Sequence, residues 1–379
     1  MKFDRRGFLA GGGAAAFLAL RPHVAEATPQ NFVPYLSCGA DSRSDYIVAG
    51  LDRNGAAIFV RPLPNRGHGV TVHPRGDEAV AFARRPGRFA LVLDTADGRT
   101  RHRLSSADGR HFYGHGAYSR DGAFLFATEN DYEAGDGVLG VYDAARNYER
   151  LGEMRSHGIG PHDVRLMPHG KTLAVANGGI RTHPDQGRAK LNIATMAPSL
   201  AYVDTESGRL LDRVELPSRL HKLSIRHLDV NAVGSVAFAM QYEGDRRNRI
   251  PLVGLHDSDG TVRLLRADAQ RERRMRHYVG SVAFDASGKV VAATSPRGHV
   301  ATFWDVTSGR LLAQVKAVDA SGLAATSRDG HFIIAGGNGL IQEVDAQTGT
   351  AMPLSTQNSG LRWDNHIGAA RRENASSPS

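Results

Sequence analysis

The sequence predicts an all-β, seven-bladed β-propeller, and three observations carry that prediction. Short β-prone runs closed by Asp recur at intervals of about 45 residues, a turn glycine recurs inside each repeat, and no helical stripe intervenes. The runs 90–94, 139–143, 200–204, 252–257, 301–305 and 341–345 all end in Asp, and Gly98, Gly208, Gly309 and Gly349 follow four of them. An Asp side chain can bond the backbone of the turn it starts, and Gly takes the positive φ that the turn needs. An earlier turn in each repeat, at Gly76, Gly122, Gly170, Gly234, Gly288 and Gly330, joins two apolar strands. The seventh blade reads as split. Residues 46–62 supply strands without an innermost one, and 363–368 supply a strand without a blade. Pairing the two closes the ring and removes exposed edges. A two-domain sandwich is the structural alternative.

Composition agrees with a globular chain. Of 379 residues, 41% are hydrophobic and 23% charged, so wholesale disorder is excluded. The single cysteine, Cys38, excludes a disulfide-stapled scaffold and reads as a free thiol. No apolar run reaches the roughly 18–20 residues that span a bilayer, so no transmembrane anchor is expected in the mature chain.

The N-terminus carries an address. Arg5-Arg6-Gly7-Phe8-Leu9, a Gly/Ala-rich apolar stretch and an A-x-A site at Ala25-Glu26-Ala27 resemble a twin-arginine signal cleaved after Ala27. An ordinary secretory signal with two chance arginines is the alternative. The expected organisation is a signal peptide over 1–27, an extension over 28–45, the propeller over 46–370 and a disordered tail over 371–379. Periplasmic localisation follows, and with it no nucleic acid partner. The arginine-rich run 271–276 is interrupted by acid and reads as a solvated loop.

Aligning the repeats on the inner turn glycine exposes a column at the start of the innermost strands. Its occupants are His68, His115, His162, His227, Ser281 and Leu323, with His366 from the closing strand. Innermost strands line the central channel, so five imidazoles are expected to converge at one mouth. Protonated, they would repel one another; neutral and unpartnered, each would cost free energy. A transition metal ion relieves both, and imidazole suits Zn, Cu, Fe or Ni. Three or four ligands with an open position are expected rather than five. Two other readings stay open: structural hydrogen bonds of the WD-repeat kind, suggested by Gly67-His68 and Gly114-His115, and an anion or substrate site.

Second-strand ends are expected at the same mouth. They carry Glu129, read as a carboxylate ligand or a partner to one, and Asn130, Asn177, Gln241 and Arg297 as orienting or substrate groups. The insertion from Gly179 to Asn192 leaves the ring there, and its His183, Asp185, Arg188 and Lys190 read as a cover or an anion contact, with a plain surface excursion as the alternative. No G-x-S-x-G, Walker, H-E-x-x-H or haem-attachment motif is present, so catalysis is left undecided.

The segments 158–168, 176–180 and 182–188, around Pro161-His162-Asp163, resemble a family of twin-arginine-exported bacterial β-propellers (WD-repeat/YVTN-like) of unassigned function. The resemblance spans essentially the whole mature chain. Members are typically encoded beside imelysin-like and redox proteins in iron-responsive loci. It implies a role in periplasmic iron acquisition or handling, with such proteins as partners, and favours Fe or Cu over Zn. The histidine ring is also similar in logic to that of nitrous oxide reductase, a propeller with a histidine-bound copper cluster, whose separate copper domain has no counterpart here. The leading expectation is therefore a metal-binding propeller. A metal-dependent oxidoreductase or lactonase-like hydrolase and a metal-free interaction scaffold are the alternatives.

Overall fold

The computed structural model describes residues 33–354 and 360–370. The expectations for the signal peptide over 1–27 and the tail over 371–379 lie outside the described residues. The strands form seven antiparallel sheets of four. Each sheet is one blade, and the innermost strands touch in cyclic order around a central channel.

Turn chemistry sets this repeat. The glycines between first and second strands, Gly76, Gly122, Gly170, Gly234, Gly288 and Gly330, have φ between +70° and +87°, a region that side chains with a Cβ avoid. Blades 1 to 6 begin with the innermost strands Gly67–Val72, Arg110–Tyr118, Pro161–Leu166, Leu223–Val230, Ser281–Phe284 and Ala320–Ala325. Blade 7 takes its innermost strand from Arg362–Ala369 and its other three from the N-terminal side: Tyr35–Ala40, Tyr46–Leu51 and Ala57–Pro62. The closing pairs run from Tyr35 with Ala369 to Ala40 with Arg362.

Two details differ from expectation. The extension placed over 28–45 contains the strand Tyr35–Ala40, whose Leu36 and Cys38 are fully buried between neighbouring strands, so the ring includes it. The Cys38 thiol is free, and burial pushes its pKa up. The run read as a solvated loop holds a short helix, α1 (Ala269–Arg274). The Asp268 carboxylate caps it by accepting from the Gln270 and Arg271 amides, which satisfies donors that a loop would leave to water. Among the described residues, no helix is long and apolar enough to cross a membrane.

The core lies between blades. One apolar cluster joins blades 1 and 2 through Phe82, Phe112 and Tyr142. Others join blades 2 and 3 through Phe126 and Val175, and blades 5 and 6 through Phe303 and Phe332. Trp363 on the closing strand packs with Ile333 and Ala335 of blade 6. Stability therefore comes from neighbouring sheets burying each other's faces, which leaves the channel free to carry polar groups.

Candidate metal centre

The innermost strands are not regular at the height of the histidine column. Pairing with the second strand skips between Gly67 and Val70, between Phe112 and Gly116, between Pro161 and Asp163, and between Ile225 and His227. On the closing strand it skips between Trp363 and Ile367. A bulge leaves a residue out of the ladder and re-aims its side chain. His68, His115, His162 and His366 lie inside these irregularities, and His227 directly follows the extra residue of its own bulge, Arg226. In blade 6 the skipped residue is Ser321, and Leu323 pairs regularly with Ile334, which corrects the column there.

The five rings converge. Centroid separations are 4.5 Å for His115 with His366, 4.6 Å for His68 with His366, His162 with His227 and His227 with His366, and at most 5.6 Å for the other contacting pairs. Two triads, His68-His115-His162 and His115-His227-His366, each bring one nitrogen per ring within 4.8 Å of the others. His115 belongs to both. Rings facing each other across blades are not the blade-internal hydrogen bonds of a WD repeat.

All five are buried. Burial pushes the His115, His162, His227 and His366 imidazoles well below their ordinary value, and neighbouring histidines or Arg226 push the same way. His68 is also lowered by burial, against the pull of Asp364. The rings are thus neutral near pH 7, the state a metal ligand needs.

Neutral buried imidazoles still need partners, and here only part of that need is met. His68 Nδ1 lies 3.4 Å from Asp364 Oδ1, and His115 Nδ1 lies 3.4 Å from Asp163 Oδ1. An Nδ1–H shared with a carboxylate leaves the lone pair on Nε2, the arrangement in which carboxylates orient metal-binding histidines. His115 Nε2, His162 Nδ1, His227 Nδ1 and His366 Nε2 are buried with no hydrogen-bond partner among the described residues. His366 Nδ1 has only a long contact, 3.5 Å, with Ser281 Oγ.

Both carboxylates are themselves anchored. Asp163 accepts from Val164 N, Leu228 N and Arg165 Nη1; burial raises its pKa despite these donors. Asp364 accepts from Arg66 Nε at 2.7 Å and Asn365 N. Burial raises it too, but His68, Arg66 and Arg84 outweigh that and hold it well below the usual carboxylate range. Sequence reasoning missed this pair. Their signal was their position one or two residues from a column histidine, in His162-Asp163 and Asp364-Asn365-His366.

The other expected residues separate. Glu129 is fully buried but points along the blade: its carboxylate accepts from Tyr142 Oη at 2.7 Å and Arg150 Nη2 at 2.8 Å, in room left by Gly140. It is absent from both histidine triads. Strand alternation is the reason, since Asn130, one residue on, faces the other way and bonds His111 Nε2 and Thr182 O. Asn177 donates to Ser156 O, Gln241 donates to Val279 O, and the Arg297 guanidinium lies 4.2 Å from the Tyr278 ring centroid. Among the described residues, no hydrogen bond joins any of these to the five column histidines.

The insertion crosses blade 3. Arg181 donates to Ala134 O of blade 2, and Lys190 pairs with Glu243 of blade 4. His183 lies 3.6 Å from Glu133 and 3.7 Å from Asp185, in a shallow depression beside Tyr132 and away from the histidine column. Burial lowers the Arg188 pKa, and the charges of Arg85 and Arg66 push it the same way.

The family described as "Protein of unknown function (DUF1513)" matches residues 61–370. The chain belongs to this family. No curated protein matches this chain. Among solved structures, this DUF1513 chain is similar to Kuenenia stuttgartiensis hydrazine synthase: the TM-score is 0.57 at 15% identity, over 89% of this chain and 100% of that one. At that identity the likeness concerns the fold alone.

Proposed function

We propose that this DUF1513 protein binds a transition metal ion in its central channel, with His68, His115, His162, His227 and His366 supplying the ligands and Asp163 and Asp364 orienting two of them. The observation that carries the reading is the set of four buried imidazole nitrogens without a hydrogen-bond partner, on rings that belong to two close-set histidine triads. A buried polar atom left unpaired costs about 1–3 kcal/mol, and ligation would give such atoms a partner within each triad. The donor set is neutral, nitrogen-only and free of thiolate, which favours a borderline ion over Mg or Ca. Iron or copper, a periplasmic address through the twin-arginine signal, and a role in iron handling beside imelysin-like or redox proteins complete the proposal; these rest on the N-terminal and family motifs. Glu129 is not part of it.

Elemental analysis of full-length protein purified without an affinity tag tests the reading. Stoichiometric Fe or Cu is expected, and it should be lost in a His115→Ala/His162→Ala variant that keeps its β-sheet circular dichroism. Full metal content in that variant would place the site elsewhere. A wild-type protein that takes up no transition metal would end the proposal.

A further inference from the structure

Beside the histidines, the channel mouth holds a second group of unsatisfied polar atoms, and it is cationic. Arg226 Nε is buried with no hydrogen-bond partner among the described residues, and the buried Tyr113 Oη and Thr182 Oγ1 have none but each other. Their residues are only 8%, 2% and 4% exposed. Arg226 is the extra residue of the blade 4 bulge, so it is turned out of its own ladder.

Backbone contacts hold the group together. The Arg226 guanidinium reaches within 3.2 Å of where a Cβ on Gly178 would stand, and Tyr113 Oη within 3.4 Å of the same point on Gly160. Gly178 N donates to Gly160 O at 2.8 Å, so the two cradles adjoin. Thr182 joins through Asn130, which bonds its carbonyl and His111, whose ring lies 5.3 Å from that of Tyr113.

Arg84 and Arg85, half-buried just after the second strand of blade 1, lie near enough to Arg226 for the charges to act on one another. Burial lowers the pKa of each, Arg85 to about 10, and Arg226 and Arg84 add to that lowering at Arg85. The acids in reach are already engaged: Asp364 with Arg66 and His68, Glu243 with Lys190. Arginine does not shed its proton in proteins, so a buried, crowded guanidinium finds relief only in a counter-anion.

We propose that this arginine-lined mouth binds a small multivalent oxyanion, a phosphate or a di- or tricarboxylate, with Arg226, Arg84 and Arg85 as the cationic clamp and the Tyr113 and Thr182 hydroxyls as neutral donors. Planar guanidinium groups match such oxygens two at a time. The site adjoins the histidine centre but does not rest on the metal reading, because none of its residues is a proposed ligand.

The test uses the metal-stripped full chain at low ionic strength, titrated calorimetrically with inorganic phosphate and, separately, with citrate. Saturable one-site binding of either is expected, weakening with added salt, and the anion that binds identifies the source. Arg226→Gln and Arg85→Gln should each weaken it about tenfold or more. Arg85 is half-buried, so its variant remains informative if the Arg226 variant misfolds. Metal content of both variants should match wild type. Absence of saturable binding of both anions, or affinities unchanged in both variants, would overturn the proposal whether or not the protein carries metal.

Discussion

Acidifying the metal-free protein should destabilise it far more steeply than an average propeller. A histidine whose folded pKa lies below its unfolded value binds fewer protons folded than unfolded. Its stability contribution is intact above the unfolded value near 6.5 and falls as pH drops below it. His115, His162, His227 and His366 are all buried and held well below 6.5. For each ring that stays neutral in the fold, going from pH 7 to pH 5 costs about 2 kcal/mol. Four rings give up to about 8 kcal/mol, comparable with the whole stability of a typical domain, roughly 5–15 kcal/mol. Asp364 does not confuse this window, because its depressed folded value makes its contribution vanish only below the ordinary carboxylate range. The assay is urea unfolding of chelator-treated full chain at pH 7, 6 and 5, followed by circular dichroism. The same neutrality has a second consequence: metal affinity of the folded protein should stay nearly constant from pH 7 to pH 6, since few protons must leave. A stability change under about 2 kcal/mol between pH 7 and 5 would refute the neutral cluster.

Other outcomes follow from single contacts. Asp163→Asn and Asp364→Asn should each lower metal affinity about 10–100-fold without removing a ligand, read by competition with a chromophoric chelator. Glu129→Gln should cost about 2 kcal/mol, since it weakens the buried contacts to Tyr142 and Arg150, yet leave metal stoichiometry unchanged; thermal melting and elemental analysis separate the two. Deleting residues 362–370 should leave the edge of Tyr35–Ala40 unpaired and produce aggregation visible by light scattering.

The architecture was legible because turns impose hard steric demands. A positive φ needs glycine, so Gly76, Gly122, Gly170, Gly234, Gly288 and Gly330 mark the blades directly. The histidine column was legible for the same reason, being a fixed offset from those turns. What an offset cannot give is the direction of a side chain. Glu129 and Asn130 are adjacent, and pleating turns one to Tyr142 and Arg150 and the other to His111 and Thr182. Bulges hid the rest. Nothing in the sequence singles out Arg226 beside His227, and only the register shift between Ile225 and His227 marks it as an extra residue of the ladder. Asp163 and Asp364 were overlooked because each serves a histidine of another strand, His115 and His68, a pairing that sequence adjacency disguises.

The closing strand carries more than structural closure. His366 and Asp364 arrive on Arg362–Ala369, the last described strand to be translated, and they complete one triad and orient the other. A chain interrupted before that strand would present His68, His115, His162 and His227 on an open arc. On the metal-binding reading, the triad His115-His227-His366 forms only once this strand closes the ring, so that half of the centre would report on ring closure.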